Sequence, residues 1–261
     1  MPDPSSSSPL PSGRVAGAGG TALRTLLDGP AASGTVVHAG AQAVYADLGG
    51  RVVGVLARGA VHVPCAIATT LPSLPEITVG APVTAAGGML TVGAMSVGVD
   101  RLVGFALPAL DAAATERLRV LDPDLSPARD QLPVSALERL AAGDPDAVPA
   151  LVGRGDGLTP VGDDVLAGWL VTARATGRDH APVTAAVRAH LHRTTSLSAT
   201  LLLHAADGEA IAPFRTAVAS GDADAVAGLL AVGHTSGAGM LLGATLALLQ
   251  SHSEPLEGSP R

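Results

Sequence analysis

Gly153-Arg154-Gly155-Asp156-Gly157-Leu158-Thr159-Pro160-Val161-Gly162-Asp163-Asp164 runs directly into Val165-Leu166-Ala167-Gly168-Trp169-Leu170-Val171. The first part is a glycine-rich loop and the second an apolar helix. Thr159 suits a helix cap, and Pro160 suits the first helical position, where no backbone donor is needed. Gly162 then falls in the first turn, where Gly costs about 1 kcal/mol relative to Ala. Asp163 and Asp164 lie about 100° apart around a helix and cannot both serve one cap. Bare backbone at Gly155, Gly157 and Gly162, free N–H groups and paired carboxylates at one helix start suggest a site for an anion. Asp163 and Asp164 would orient donors there or hold Mg²⁺. The same residues also suit a tight helix–helix connection whose acids complement the helix dipole. The Gly-Lys-Ser/Thr of a nucleotide-binding loop is missing, so ATP is not implied.

Downstream of this loop the chain reads as helical, with helices near 160–176, 181–193, 196–207, 210–219, 223–232 and 238–251. Upstream, 111–120 and 134–142 read as helices joined by a Pro/Asp-rich linker over 122–133. Before Pro108 the pattern changes. Short β-rich runs occur at 35–38, 43–48, 51–56, 61–67, 77–79, 89–92, 95–99 and 102–105, and 21–27 reads as a short helix. Gly49-Gly50 between two of the runs is a hairpin signal, and Pro64 argues for an edge or bulge. The expected class is α+β: a β-rich domain over 14–108, as a small, mostly antiparallel sheet or barrel, then a helical domain over 109–252. Residues 1–13 read as a disordered leader and 253–261 as a polar, disordered tail.

The 261 residues carry a formal net charge of −7 without a run of Lys or Arg, which argues against nucleic acid as a partner. A single cysteine, Cys65, excludes an internal disulfide and fits a reducing compartment. The N-terminal residues lack a signal-peptide pattern, and the apolar stretches are too short to span a bilayer. The expected location is therefore the cytoplasm, with no membrane partner. Aromatic residues make up 2% of the chain, so the core must be Ala, Val and Leu. Trp169 reads as a core anchor and Cys65 as core. His38 and His62 read as structural. His190 and His192, two apart, cannot share a helix face and make a poor metal pair.

The focal helix start has an echo. Gly162, Leu166 and Gly168 are matched by Gly237, Leu241 and Gly243 at a constant spacing of 75 residues. His234-Thr235-Ser236 brings an imidazole and two hydroxyls to the second start, with His234 the candidate proton carrier. If the two starts faced one another, both sets of N–H groups would aim at one anion. Arg193, Thr194, Thr195 and Ser198 add a cation beside hydroxyls, equipment for a carboxylate or phosphate that is equally ordinary helix-end chemistry.

Gly155-x-Gly157-Leu158-Thr159-Pro160-x-Gly162-Asp163-Asp164-x-Leu166-x-Gly168 closely resembles the signature of the AllH-like family, named for a subunit of oxamate carbamoyltransferase in allantoin catabolism. Gly233-His234-Thr235-Ser236-Gly237 is similar to its second motif, and Thr194-Thr195-x-x-Ser198-Ala199-Thr200 to the segment between. Val63-Pro64-Cys65-Ala66-Ile67 is the best local likeness in the N-terminal half. The chain departs from the family pattern at Asp156, Val161 and Gly239, where members usually carry Pro, Ser and Asp. The resemblance implies reversible carbamoyl transfer between oxalurate or oxamate and phosphate, within a complex with other subunits. Phosphate or carbamoyl phosphate would sit at the helix starts, held with the help of Thr159, Thr235, Ser236 and Gly237, and the carboxylates would accept from the carbamoyl NH₂.

Two other readings stand beside it. One is a Mg²⁺-dependent hydrolase or phosphotransferase using Asp156, Asp163 and Asp164. The other is a non-catalytic binding or assembly subunit, a homo-oligomer or a partner of other chains, docking through small residues such as Ala167-Gly168 and Leu242-Gly243-Ala244.

Overall fold

Runs of Val, Ala and Thr cut by glycine turns fold into eight strands and one helix: β1 (Arg14–Gly19), α1 (Thr21–Asp28), β2 (Ala32–Ala39), β3 (Ala43–Asp47), β4 (Val52–Leu56), β5 (Ala66–Thr69), β6 (Pro82–Ala86), β7 (Met89–Val92) and β8 (Met95–Leu102). The computed structural model describes residues 13–249. The chain divides into two compact units at Gly104 and Phe105. Apart from Gly13, the leader expected over 1–13 lies outside the described residues, as does the tail over 253–261.

The first unit is a closed barrel in the order β1-β5-β4-β3-β2-β6-β7-β8. Its neighbours are antiparallel except β4 with β5 and β1 with β8. Closure joins the first strand to the last, with Val15 opposite Val97 and Gly17 opposite Val99. Alternation of side chains sends Val83 and Ala85 of β6, and Leu90 and Val92 of β7, into one apolar core. Both glycines of the β3–β4 hairpin take positive φ, 68° and 89°, and Leu48 N–H donates to Arg51 C=O at 2.9 Å across the turn. Only glycine adopts two such residues in succession at little cost, which fixes the register of this hairpin. α1 buries Leu23 and Leu27 and packs against β6, β7 and β8.

Several expected strands differ from those observed. The run at 61–67 is extended only from Ala66, because Pro64 and Cys65 form a turn. Residues 77–79 form no strand; Val79 is exposed and leads into Gly80 at φ 87°. The strand of the run at 102–105 ends at Leu102, and its last bond to β1 is Val103 N–H to Gly19 C=O at 3.0 Å. β1 and β6 are additional strands, so the barrel begins at Arg14.

Cys65 is buried, and burial pushes its thiol up to about 12. A thiol so placed presents almost no thiolate. Native protein at about pH 8 is therefore expected to leave Cys65 unmodified by a thiol-disulfide reagent, with reaction only in denaturant. Rapid reaction of the native chain would contradict this placement. His62 bonds the Ala66 carbonyl at 3.0 Å, and the His38 ring lies against Tyr45.

The second unit is helical: α2 (Ala112–Val120), α3 (Ser126–Arg129), α4 (Val134–Ala142), α5 (Val148–Leu151), α6 (Val161–Ala175), α7 (Ala181–His190), α8 (Ser196–Ala206), α9 (Ala212–Ser220), α10 (Ala223–Leu230) and α11 (Ser236–Leu248). The class is thus α+β, barrel first and helices second. α3 lies inside the expected linker, and α5 was not anticipated. No helix among the described residues is long and apolar enough to cross a membrane. α6 and α11 are the centre of this unit, with Trp169, Leu170, Leu241 and Ala244 fully buried. His190 and His192 do meet, with ring centroids 6.3 Å apart, because the helix ends at His190 and a tighter 3₁₀ turn follows.

Candidate functional site

α6 and α11 run parallel, since contacts advance together along both: Gly239 lies beside Val161 and Asp164, and Gly243 beside Val165 and Trp169. The contact is reciprocal. A Cβ on Gly168 would overlap the Met240 carbonyl oxygen, and one on Gly243 would overlap that of Val165. Residues 168 and 243, and likewise 165 and 240, are related by the 75-residue spacing seen in the sequence. Each helix start is also met by the carbonyl of a preceding helix, Leu151 against Gly162 and Leu229 against Gly237. The echo is therefore structural: α6 and α11 are related by an approximate two-fold along their common direction, and their N-termini lie side by side.

Asp163 and Asp164 leave this shared end in different directions. Asp163 is 1% exposed, and its Oδ1 accepts from Gly153 N–H at 2.8 Å. Its Oδ2 accepts from the hydroxyls of Ser198, at 2.7 Å, and Thr194. Burial raises its pKa, opposed by those three donors. The carboxyl ties the loop and the start of α8 to the start of α6.

Asp164, 8% exposed, turns toward α11, where the neighbouring Ser236 hydroxyl favours its ionised form. Burial, with the Asp163 carboxyl adding to it, pushes its pKa up to about 8 against that effect of Ser236. Its Oδ2 is buried without a hydrogen-bond partner among the described residues. Gly239 makes the approach feasible, because a Cβ there would stand 2.9 Å from Asp164 Cβ.

Thr159 does not cap α6. Pro160 takes the cap position without a side-chain bond, and the Thr159 hydroxyl lies 3.1 Å from that of Ser236. Thr195 caps α8 by accepting from Ser198 N–H at 3.0 Å, while its hydroxyl donates to Leu158 C=O at 2.6 Å. Gly162 N–H already donates to Arg154 C=O at 2.9 Å, and Gly237 N–H to Val232 C=O at 3.1 Å. Gly155 lets backbone approach Val161 N, whereas Gly157 is exposed with open space around it. Thr235 holds the cap position of α11, and His234 before it is exposed. Arg193 donates to Pro149 C=O at 2.8 Å, an ordinary closure of the α5 end. The structure thus gathers Thr159, Asp163, Asp164, Thr194, Ser198 and Ser236 at one helix-start cluster. Several glycines there accommodate protein backbone.

Residues 151–248 match the family model of the oxamate carbamoyltransferase subunit AllH.

That stretch begins at the end of α5 and finishes at the end of α11, so the AllH match holds both related helix starts and the whole cluster around Asp163 and Asp164. It does not include the barrel. No curated protein and no solved structure gives a significant match to the chain. The Gly153 N–H contact within the AllH-like stretch had no sequence signal, because any residue type supplies a backbone donor.

Proposed function

We propose that the helical unit is the anion-binding part of a carbamoyltransferase subunit of the oxamate or oxalurate type. It would work with other protein subunits and hold phosphate or carbamoyl phosphate where α6 and α11 begin. The observation that carries this reading is Asp164, a nearly buried carboxyl with one oxygen unpartnered among the described residues, between two parallel helix starts and inside the stretch that matches AllH. Each helix start contributes about half a positive charge. An ionised carboxylate there would repel phosphate, but a carboxyl that titrates near 8 is neutral at pH 7 and donates a hydrogen bond.

In the transfer, a phosphate oxygen attacks the carbamoyl carbon and the nitrogen of oxamate leaves with a proton. Asp164 and the helix starts would stabilise the oxyanion that develops between those events. His234, exposed at the rim, is the candidate for carrying the proton.

The magnesium reading has less support. The Asp163 oxygens are engaged by three donors, and no three His, Cys, Asp or Glu side chains among the described residues are grouped to hold a metal ion. The assembly reading loses its small-residue faces, because Gly168 and Gly243 are used between α6 and α11.

Calorimetric titration of the full chain with phosphate and with carbamoyl phosphate tests the proposal. Saturable binding is expected, weakened about tenfold by Ser236→Ala, the loss of roughly one hydrogen bond to a charged ligand. Binding untouched by that change would place the anion elsewhere, and the absence of saturable heat would overturn the reading.

A further inference from the structure

The chain contains three Asp–Gly pairs: Asp28–Gly29, Asp156–Gly157 and Asp207–Gly208. In such a pair the glycine amide nitrogen can attack the aspartate Cγ. The new N–Cγ bond expels the carboxyl oxygen and the amide proton as water, leaving a five-membered succinimide. Water then reopens the ring at either carbonyl. Opening at the former main-chain carbonyl gives isoaspartate, with the chain running through Cβ and Cγ and the overall composition unchanged. The reaction needs no reagent beyond water, but it needs a free amide, an accessible carboxyl and room for the side chain to swing onto the backbone.

Two of the three pairs are locked against this. Gly29 N–H donates to Leu26 C=O at 3.3 Å and Gly208 N–H to Ala205 C=O at 2.9 Å, each closing a helix. Gly157 differs in its amide and in the space around it, whereas the aspartate of all three pairs is exposed. Its N–H has no partner among the described residues, a Cβ built on it would meet nothing within 4 Å, and residues 154–158 are all exposed. We propose that Asp156–Gly157 is a site of spontaneous isomerisation to isoaspartate, a covalent modification centred on the loop that opens α6. The inference stands independently of the carbamoyl-transfer reading.

The modification would add one carbon to the main chain between Gly155 and Leu158. It would strain two contacts just beyond, Leu158 C=O with the Thr195 hydroxyl and Thr159 with Ser236. The loop would thereby age on its own clock.

The test is to incubate the full chain near neutral pH at physiological temperature. It is then digested, and isoaspartate is located by electron-transfer fragmentation and by labelling with an isoaspartyl methyltransferase. Isoaspartate is expected at 156 in excess of 28 and 207 by roughly fivefold or more, the factor corresponding to one hydrogen bond. Asp156→Asn should convert faster, visible as the mass gain of deamidation, because ammonia leaves more readily than hydroxide. Asp156→Glu should stay unmodified, because its imide ring closes far more slowly. Equal conversion at all three pairs, or an Asp156→Asn chain that keeps its mass, would overturn the proposal.

Discussion

Gly243→Ala is expected to lower the stability of the helical unit by about 3 kcal/mol, the upper end of the usual cost of overpacking. The added methyl would overlap the Val165 carbonyl oxygen and come within 2.7 Å of Trp169 N. Both obstacles are backbone, so no rotamer change relieves them, and the two helices must separate along their length. The gain of about 1 kcal/mol from replacing glycine in a helix offsets only part of this. Gly168→Ala should cost a similar amount, because it meets Met240 in the reciprocal way. The double variant should lose less than the sum, since the first methyl already parts the helices. Gly228→Ala in α10, where nothing lies within 4 Å, should instead stabilise slightly. Urea unfolding followed by fluorescence of Trp169, the single tryptophan and part of this seam, reads all four. If Gly243→Ala behaves like Gly228→Ala, the close approach of α6 and α11 is wrong.

Asp164 should make the protein less stable as pH rises, the reverse of an ion-paired carboxylate. In the unfolded chain this carboxyl ionises near 4, as an unperturbed aspartate does, whereas in the fold it holds its proton to about 8. Between those values the folded state binds more protons. The stability contribution is complete below about pH 4 and is lost as pH rises through the folded value, at up to about 1.4 kcal/mol per pH unit. Asp163, also raised by burial, acts in the same direction. Asp164→Asn cannot ionise and removes the larger slope. Its melting temperature should therefore overtake that of the parent progressively between about pH 5 and about pH 8. Parallel curves would mean that the carboxyl is already ionised in the fold and that the Asp164 part of the proposed site fails with it.

The helices were legible because their signals are local. Periodic Leu and Val, with Pro and Gly at the ends, place α4, α6, α8 and α10 within a residue or two of the expected spans. The Gly49-Gly50 hairpin was legible for the same reason. β1 was not, because Arg-Val-Ala-Gly-Ala-Gly has one β-branched residue and its strand character comes from distant partners, β5 and β8. Pro at the start of β6 hid a second strand, though an initial proline needs no ladder donor. Ile77-Thr78-Val79 shows the converse, strong β propensity spent on a connection that exposes Thr78 and Val79 and rests Ile77 against the barrel core. At the candidate site, residue types named Asp163, Asp164, Thr194, Ser198 and Ser236 as polar groups. They did not say that Asp163 would be consumed by Thr194 and Ser198 while Asp164 kept an oxygen without a partner among the described residues. That division follows from the 100° between neighbouring side chains together with different partners on the two sides, the loop and α8 beside Asp163 and α11 beside Asp164.

Closure of the barrel through β1 and β8 has a kinetic consequence. β1 has no hairpin partner; it waits for β5 on one flank and for β8 on the other. During synthesis its unpaired amides stay open until nearly the whole unit has left the ribosome. The entropy of that long loop must be met before any β1 contact repays it. Folding of this unit should therefore be slow and late. In the interval the short, glycine-rich sequence of β1, poor in large apolar side chains, offers little for another chain to adhere to.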